Sequence, residues 1–481
     1  MRKLNTFSKE QIHTFLSKLL FLFIIVQPVF DVLSELYVKG IIPIGISTYG
    51  KPLFVGLLNI ALVLVYRNQF GRCAIHYGIF AVYAVVHLYL FNGLPAERYI
   101  LLSEARHMLN LIYMLLCWHD VRILFEESFD KDSYIAKLTK SLLTCFGLYL
   151  LLYLLAVITG TSGTTYGATD PKIGFRGWFN NGQIFGHALC VCLPAILYFM
   201  IHNKFQNRWL KILCKLGIAV PLLVLTLVGT KVTFYIAVIV LAAQVVLELF
   251  FAVKDKQRSH AFNALLCAVF LAVCILAYPI TPVYHNTAIN GDTLADEYSD
   301  ERMEAFLENE RRIHLSNKDR VDYPWTEAAI EELEELFLSR TLHPSLLRQR
   351  QQVYNGTKFK AAPLLYKVFG VGYLNQNDMT LERDIMALLF GYGIIAFLLV
   401  MLRPLVIWFR SVFWILRRLF KTDLLTLCLF EGFSMFFFIS FYAGYTFLFT
   451  QFSIFLTVIM CLLNHRVDKL KALDSNGRLP S

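Results

Sequence analysis

The chain has 481 residues, 57% hydrophobic, 15% aromatic and only 17% charged, with a mean hydropathy of +0.55. A soluble domain carries about 25% charged residues, so this composition excludes one and describes an integral membrane protein. The net charge of +10 falls in the connections between apolar stretches, which excludes reading it as a nucleic-acid footprint.

Helix needs roughly 20 apolar residues to cross a hydrocarbon core. Stretches that meet this lie near 16–38, 52–66, 73–91, 99–118, 141–159, 184–201, 212–228, 232–252 and 261–280. Three more follow near 385–402, 424–442 and 447–464. The expected fold is an all-α integral membrane protein of about 12 transmembrane helices, with one large extracytoplasmic loop between helices 9 and 10. Three regions result: helices 1–9 over 1–280, the loop over 281–382, and helices 10–12 with a cytoplasmic tail over 383–481. The first span lacks a small-residue cleavage site and is interrupted by Gln27, Pro28 and Asp31, so it reads as a retained helix, not a removed signal peptide.

Lys and Arg occupy every second connection, from Arg2 and Lys3 through Arg67 and Arg72, Arg122 and Lys131, Lys204 and Lys211, to Lys254 and Arg258. The same parity holds for Arg403–Lys421 and for Arg466, Lys469 and Lys471. This positive-inside bias predicts a multi-pass cell-membrane protein with both termini cytoplasmic and the large loop outside. The ten cysteines lie in or beside predicted spans and none lies in the loop. They read as small packing residues, with neither a disulfide framework nor a Cys-based metal spacing.

Ionisable residues inside a span face a partner, a cavity or a substrate path. For Asp31 in the first span and Glu431 in the eleventh, structural hydrogen bonding is the preferred account. Glu104, Arg106 and His107 in the fourth form either a packing ion pair or a functional cavity. Lys231 sits at the outer end of the hairpin Gly229-Thr230-Lys231, where a cation runs against the charge bias and is placed to face an anion. The outer connection 160–183 is glycine-rich and carries Arg176, Asn180 and Asn181, donors that suit a ligand approached closely by backbone. An interfacial turn anchored by Trp178 is its plainer reading.

The long polar segment begins acidic, at Asp292, Asp296 and Glu297, and turns basic towards Arg340, Arg348, Arg350, Lys358, Lys360 and Lys367. Loops beyond about a dozen residues generally serve as lids, binding surfaces or linkers. Ile330, Leu333 and Phe337 predict a helix over 325–340, and a second is expected over 298–313. An amphipathic stretch runs over 353–369, ahead of a Gly370-Val371-Gly372-Tyr373 turn. The basic, aromatic stretch 403–421, with Trp408, Phe409, Phe413 and Trp414, predicts an inner-face interfacial helix. Arg176, Lys231, Arg340, Arg348 and Arg350 thus collect on the outer face. Guanidinium groups bind phosphate bidentately and stay charged at any working pH, which points to a lipid-linked phosphate or diphosphate. Glu382 and Asp384, at the mouth of the next span, are candidate general bases.

These residues resemble a known family. Residues 174–181 before a span, then Gly229-Thr230-Lys231 and a long outer loop are similar to the O-antigen ligase and polysaccharide polymerase superfamily of bacterial membrane glycosyltransferases. The loop's end carries the likeness further: Arg348 and Arg350, Leu364–Phe369, Gly370-Val371-Gly372, Glu382-Arg383-Asp384 and Gly391-Tyr392-Gly393. The opening Gln27-Pro28-Val29-Phe30-Asp31 looks like Gram-positive members.

The resemblance implies a metal-independent, cofactor-free, inverting enzyme of the multi-span C-type. Such an enzyme moves a glycan from undecaprenyl diphosphate to an acceptor hydroxyl within membrane lipid. A flippase and a chain-length regulator are the implied protein partners. By position, Arg176, Arg348 and Arg350 would hold the diphosphate, with Lys231 assisting. The ligases carry a His with a Gly eleven positions on; counting back from Gly393 lands here on Glu382. Neither loop histidine, His314 or His343, stands at the matching place. The departure leans towards a capsular or exopolysaccharide polymerase over a ligase. A lipid-linked sugar transporter or flippase would show repeated halves, and none is visible. A partner-binding membrane protein would not require the cluster of outer cations.

Overall fold

A computed structural model of the chain describes residues 8–43, 45–94, 101–166, 171–289, 300–319, 325, 327–338, 347–372, 381–444 and 446–476. Among them, eleven helices are long and apolar enough to cross a membrane, and a bent pair supplies a twelfth span. Helices dominate because lipid offers no partner for an open backbone N–H or C=O, and a helix satisfies both internally.

The bent pair is α1 (Lys9–Ile25) and α2 (Gln27–Val38), meeting at 50°. Pro28 stands in the first turn of α2 with no N–H to return to α1, so the chain turns at Val26 and restarts. There follow α3 (Ile46–Val65), α4 (Phe70–Asn92), α5 (Leu101–Glu126), α6 (Lys131–Ile158) and α7 (Gly182–Ile201). The next span is broken at Gly217 into α8 (Arg208–Leu216) and α9 (Ala219–Leu227), and α10 (Lys231–Asp255) and α11 (Arg258–Ala277) complete the first nine. Nearly all of α7 is buried, against α10 and the helices Leu424–Tyr442 and Thr450–Asn476. The more peripheral α3, α4 and α11 expose Leu57, Leu64, Val82, Tyr89, Leu265 and Leu276, the apolar surface a bilayer covers.

Beyond α11 the polar segment folds into α12 (Pro282–Ile289), α13 (Asp300–Asn317), α14 (Glu327–Leu338), α15 (Leu347–Ala361) and α16 (Leu364–Phe369). Both expected loop helices are present. Leu307, Trp325, Ile330, Tyr354 and Tyr366 form a small core seated on Leu90, Phe91 and Leu94 at the end of α4. Inside it, Lys358 donates to Glu310 at 2.9 Å and lies 4.2 Å from the Trp325 ring centre, while Tyr354 donates to Glu310 at 2.8 Å. Lys358 therefore belongs to a buried network, and Lys360 pairs with Glu332 at 3.1 Å. The basic end of this segment is not a uniform anion-binding stripe.

After a short turn (Asp384–Met386) and a π-turn (Ala387–Gly391) come α17 (Gly393–Arg417), α18 (Leu424–Tyr442) and α19 (Thr450–Asn476). The interfacial helix expected over 403–421 is instead the second half of α17. Its buried face continues without a break through Ala396, Val400, Pro404, Ile407, Ser411 and Ile415, so packing carries the helix past Pro404. The first turns of α1 and the part of α19 around His465 lie at one end of the bundle. His13 Nε2 is 2.9 Å from the Leu124 carbonyl, the Phe125 and His465 rings lie 5.3 Å apart, and His465 and Lys469 meet Asp132 at 2.8 and 2.6 Å. Eight of the ten cysteines are buried, Cys214 and Cys274 partly so, as packing residues would be.

Candidate active site at the loop end of the bundle

Arg176 stands on β2 (Phe175–Gly177), paired antiparallel to β1 (Gly163–Thr164) with Gly163 opposite Gly177. Gly163 makes room for the guanidinium: a Cβ there would lie 2.4 Å from Arg176 Nε. The side chain donates from Nη2 to Glu35 Oε1 and from Nη1 to the Asn180 carbonyl, both at 2.9 Å. Glu35 is also 3.2 Å from Lys39, so two cations share one carboxylate and the trio keeps a net positive charge. Arg176 Nε and Glu35 Oε2 are buried without a hydrogen-bond partner among the described residues. An orphaned buried donor beside a partly exposed guanidinium is what a phosphate oxygen would satisfy.

Glu35 was not singled out in the sequence, though a signal existed. Gln27, Asp31 and Glu35 recur every fourth residue on α2, all buried, marking one polar face within an apolar span. Asp31 accepts from Lys51 at 2.7 Å and from the Tyr149 hydroxyl, which bears out its structural reading.

The loop bearing Arg176 is stitched to the Lys231 hairpin. Asn286, on α12, donates to the Ile173 and Gly229 carbonyls at 2.6 and 2.8 Å and accepts from the Ile173 N–H at 2.8 Å. Thr165 donates to the Val228 carbonyl at 2.8 Å and Tyr166 to that of Gly229 at 3.1 Å. Lys231 is the first residue of α10, after the cap Thr230, and no carboxylate among the described residues pairs with it. An ammonium at the positive end of a helix is itself unfavourable by about 0.3–1 kcal/mol at exposed sites. The same placement concentrates positive potential where an anion would gain it.

Glu382 and Asp384 lie on the segment leading into α17. Asp384 is buried, and its Oδ2 accepts from both the backbone N–H and the hydroxyl of Thr446. Glu382 is half-buried. Between them, Arg383 donates to Gln352 on α15, the helix whose first turn carries Arg348 and Arg350. The side chains of Arg348 and Arg350, and all of Arg340 and His343, lie outside the described residues.

The two glycine motifs of the sequence meet here. Gly372 N–H donates to the Gly391 carbonyl at 2.8 Å. Gly370 (φ +96°) and Gly393 (φ +82°) face each other so closely that a Cβ on Gly393 would lie 2.4 Å from Gly370 N. Only glycine permits both the left-handed backbone and this approach. Tyr83 donates to the Tyr392 carbonyl at 2.8 Å, and His87 lies between the Phe369 carbonyl and Glu104, at 2.6 Å from the latter. Glu104 thus has a packing partner in His87, contributed by α4. Glu431, expected to be hydrogen-bonded, instead has both carboxylate oxygens buried without a partner among the described residues.

The site residues therefore fall into two groups. Arg176 and Lys231 share one stitched assembly; Glu382 and Asp384 share another with Thr446 and α15. Arg176 and Lys231 make no hydrogen bond or ion pair with either carboxylate. The groups occupy the same end of the bundle, since α7 begins beside Arg176 and its packed neighbour α18 ends just before Thr446.

None of the curated proteins matches the chain. A family described as "O-antigen ligase like membrane protein" matches residues 13–469, nearly the whole length. That family supports a membrane glycan-transfer role, and its match spans both halves of the site and the loop between them. The chain belongs to the O-antigen ligase-like family of membrane proteins.

Proposed function

We propose that the chain is a bacterial cell-surface polysaccharide polymerase, joining oligosaccharide units carried on undecaprenyl diphosphate at the outer face of the membrane. The observation that carries this reading is the assembly of Arg176 and Lys231, whose two loops are stitched together at the end of the bundle opposite His13 and His465. With the termini in the cytoplasm, as the charge bias favours, that end faces outwards.

In this reading the diphosphate lies against Arg176 and Lys231, and Arg348 and Arg350 are the further cations that hold it. The acceptor hydroxyl attacks the anomeric carbon from the side opposite the diphosphate, with inversion. The bond from that carbon to the diphosphate oxygen breaks, and the departing charge is stabilised by fixed cations. Glu382 takes the hydroxyl proton. Asp384, committed to Thr446, holds the segment that presents Glu382.

The test is the size profile of lipid-linked glycans in cells lacking the gene. Accumulated single repeat units support the polymerase. Full-length polymer stranded on its carrier would instead identify a ligase, and an unchanged profile would overturn both. Arg348→Ala and Arg350→Ala should each abolish polymer while protein remains in the membrane. Normal polymer from both and from the double variant would remove α15 from the diphosphate site.

A further inference from the structure

At the end of the bundle that carries His13 and His465, three side chains from or beside three helices converge on a point the proposed reaction does not use. His202 follows the last residue of α7, Glu248 lies in the final turns of α10, and His260 in the first turn of α11. His202 Nε2 is 2.6 Å from Glu248 Oε1, and His260 Nδ1 is 2.6 Å from Glu248 Oε2. The three ligand atoms lie within 4.8 Å of one another, the one such grouping among the described residues. Glu248 is 0% exposed, whereas the His202 and His260 side chains are 22% and 11% exposed, so the cluster opens only on its histidine side.

We propose that His202, Glu248 and His260 form a binding site for one Zn2+ ion that ties the ends of α7, α10 and α11 together. A fully buried carboxylate costs several kcal/mol unless a cation meets it, and each oxygen of Glu248 faces an imidazole nitrogen able to ligate that cation. Two nitrogens and one carboxylate oxygen are an established donor set for zinc, with bonds of about 2.0–2.2 Å and one position left for water. Tetrahedral donors lie about 3.4 Å apart. On binding, each imidazole turns a lone pair to the ion, and the N–H proton that now faces Glu248 passes to the other ring nitrogen or to solvent. The imidazoles close in while each His–Glu contact opens.

A supporting shell is present. Gln244, one turn earlier on α10, donates to Glu248 Oε1 at 3.4 Å, and its own carbonyl oxygen accepts from Cys428 Sγ at 3.4 Å. Hydrogen bonds of this kind orient a ligating carboxylate. The Tyr198 ring stacks on His202, with centres 5.0 Å apart, and the Phe251 ring lies 5.8 Å from that of His260. The neighbouring cation Lys215 donates to Asn263 Oδ1 at 2.6 Å. No motif search would find the site, because its ligands are 46 and 12 positions apart on separate helices.

The experiment uses the full chain, purified in detergent, stripped with chelator and titrated with Zn2+ against a chelating dye. One equivalent should bind. Removing a supporting group costs about 10–100-fold in affinity, so His202→Ala, His260→Ala and Glu248→Gln should each lose more than about 100-fold. His465→Ala, a histidine at the same end paired with Asp132, should bind as the parent does. Co2+ should give the unvaried chain the visible absorption of a four-coordinate site, a readout that does not depend on any variant folding. Absence of that spectrum at saturating Co2+, or equal zinc affinity in parent and variants, would overturn the proposal and leave a proton-bridged triad.

Discussion

The strongest energetic test concerns Asp31 and Lys51, because it asks whether α2 is held by a buried ion pair. Both side chains are essentially inaccessible, Lys51 at 0% and Asp31 at 2% exposure, and they meet at 2.7 Å. Replacing Asp31 with Ala strands an ammonium inside the bundle, with only the Phe30 ring, 5.9 Å away, as consolation. Breaking one partner of a buried pair costs about 3–5 kcal/mol, mostly from the charge left behind. Lys51→Met should cost a similar amount, lessened by the Tyr149 hydroxyl that still donates to Asp31. The double variant Asp31→Leu/Lys51→Met removes both charges and should return to within about 2 kcal/mol of the parent, since apolar replacement of a buried pair is often near neutral. The assay is denaturant unfolding in mild detergent, followed by the fluorescence of the six tryptophans. Single variants within about 1 kcal/mol of the parent, or a double variant equal to the sum of the singles, would refute the reasoning. Asp31 also lies one helical turn before Glu35, so a loosened α2 should weaken the seat of Arg176.

Other outcomes follow from the same geometry. Arg176→Lys cannot reach both Glu35 and the Asn180 carbonyl; polymer formation should fall by about 100-fold, the scale of losing one donor to a developing anion, with membrane protein level unchanged. Glu382→Gln should abolish transfer without loss of stability, whereas Asp384→Asn should cost about 1–3 kcal/mol by disturbing the bonds from Thr446. Equal effects of the two on activity and stability would remove the division of roles. Glu127, outside the spans, is held below the usual carboxylate range: burial pushes it up, but donation from Gln69 and Asn68 at 2.9 Å outweighs this. Its folded pKa is therefore below the unfolded one, so its stabilisation is complete above about pH 4.3 and is lost as pH falls through the folded value. An Asn68→Ala/Gln69→Ala variant should lose less stability than the parent across that acid range, as measured by the unfolding midpoint.

What the sequence determined by itself was set by the solvent. Each apolar run has the length of a bilayer, so the twelve spans, the large segment after the ninth and the helices within it were legible from hydropathy and periodicity alone. The glycine motifs were legible too, because Gly acts on the backbone wherever it stands, whereas Pro28 marked an interruption of the first span and its 50° bend came only with the structure. The long run of α17 through Pro404 was not, since local composition there favours an interface and only packing against α19 and its neighbours keeps the helix whole.

Tertiary structure decided the pairings. Asp31 with Lys51, Glu35 with Arg176, His87 with Glu104, and His202 and His260 with Glu248 each join residues from different parts of the chain. Sequence marks such groups as costly in a membrane, which says that a partner exists. Which partner it is depends on helix azimuth and neighbour order, and those are fixed by side-chain packing across the bundle, a property no single segment encodes.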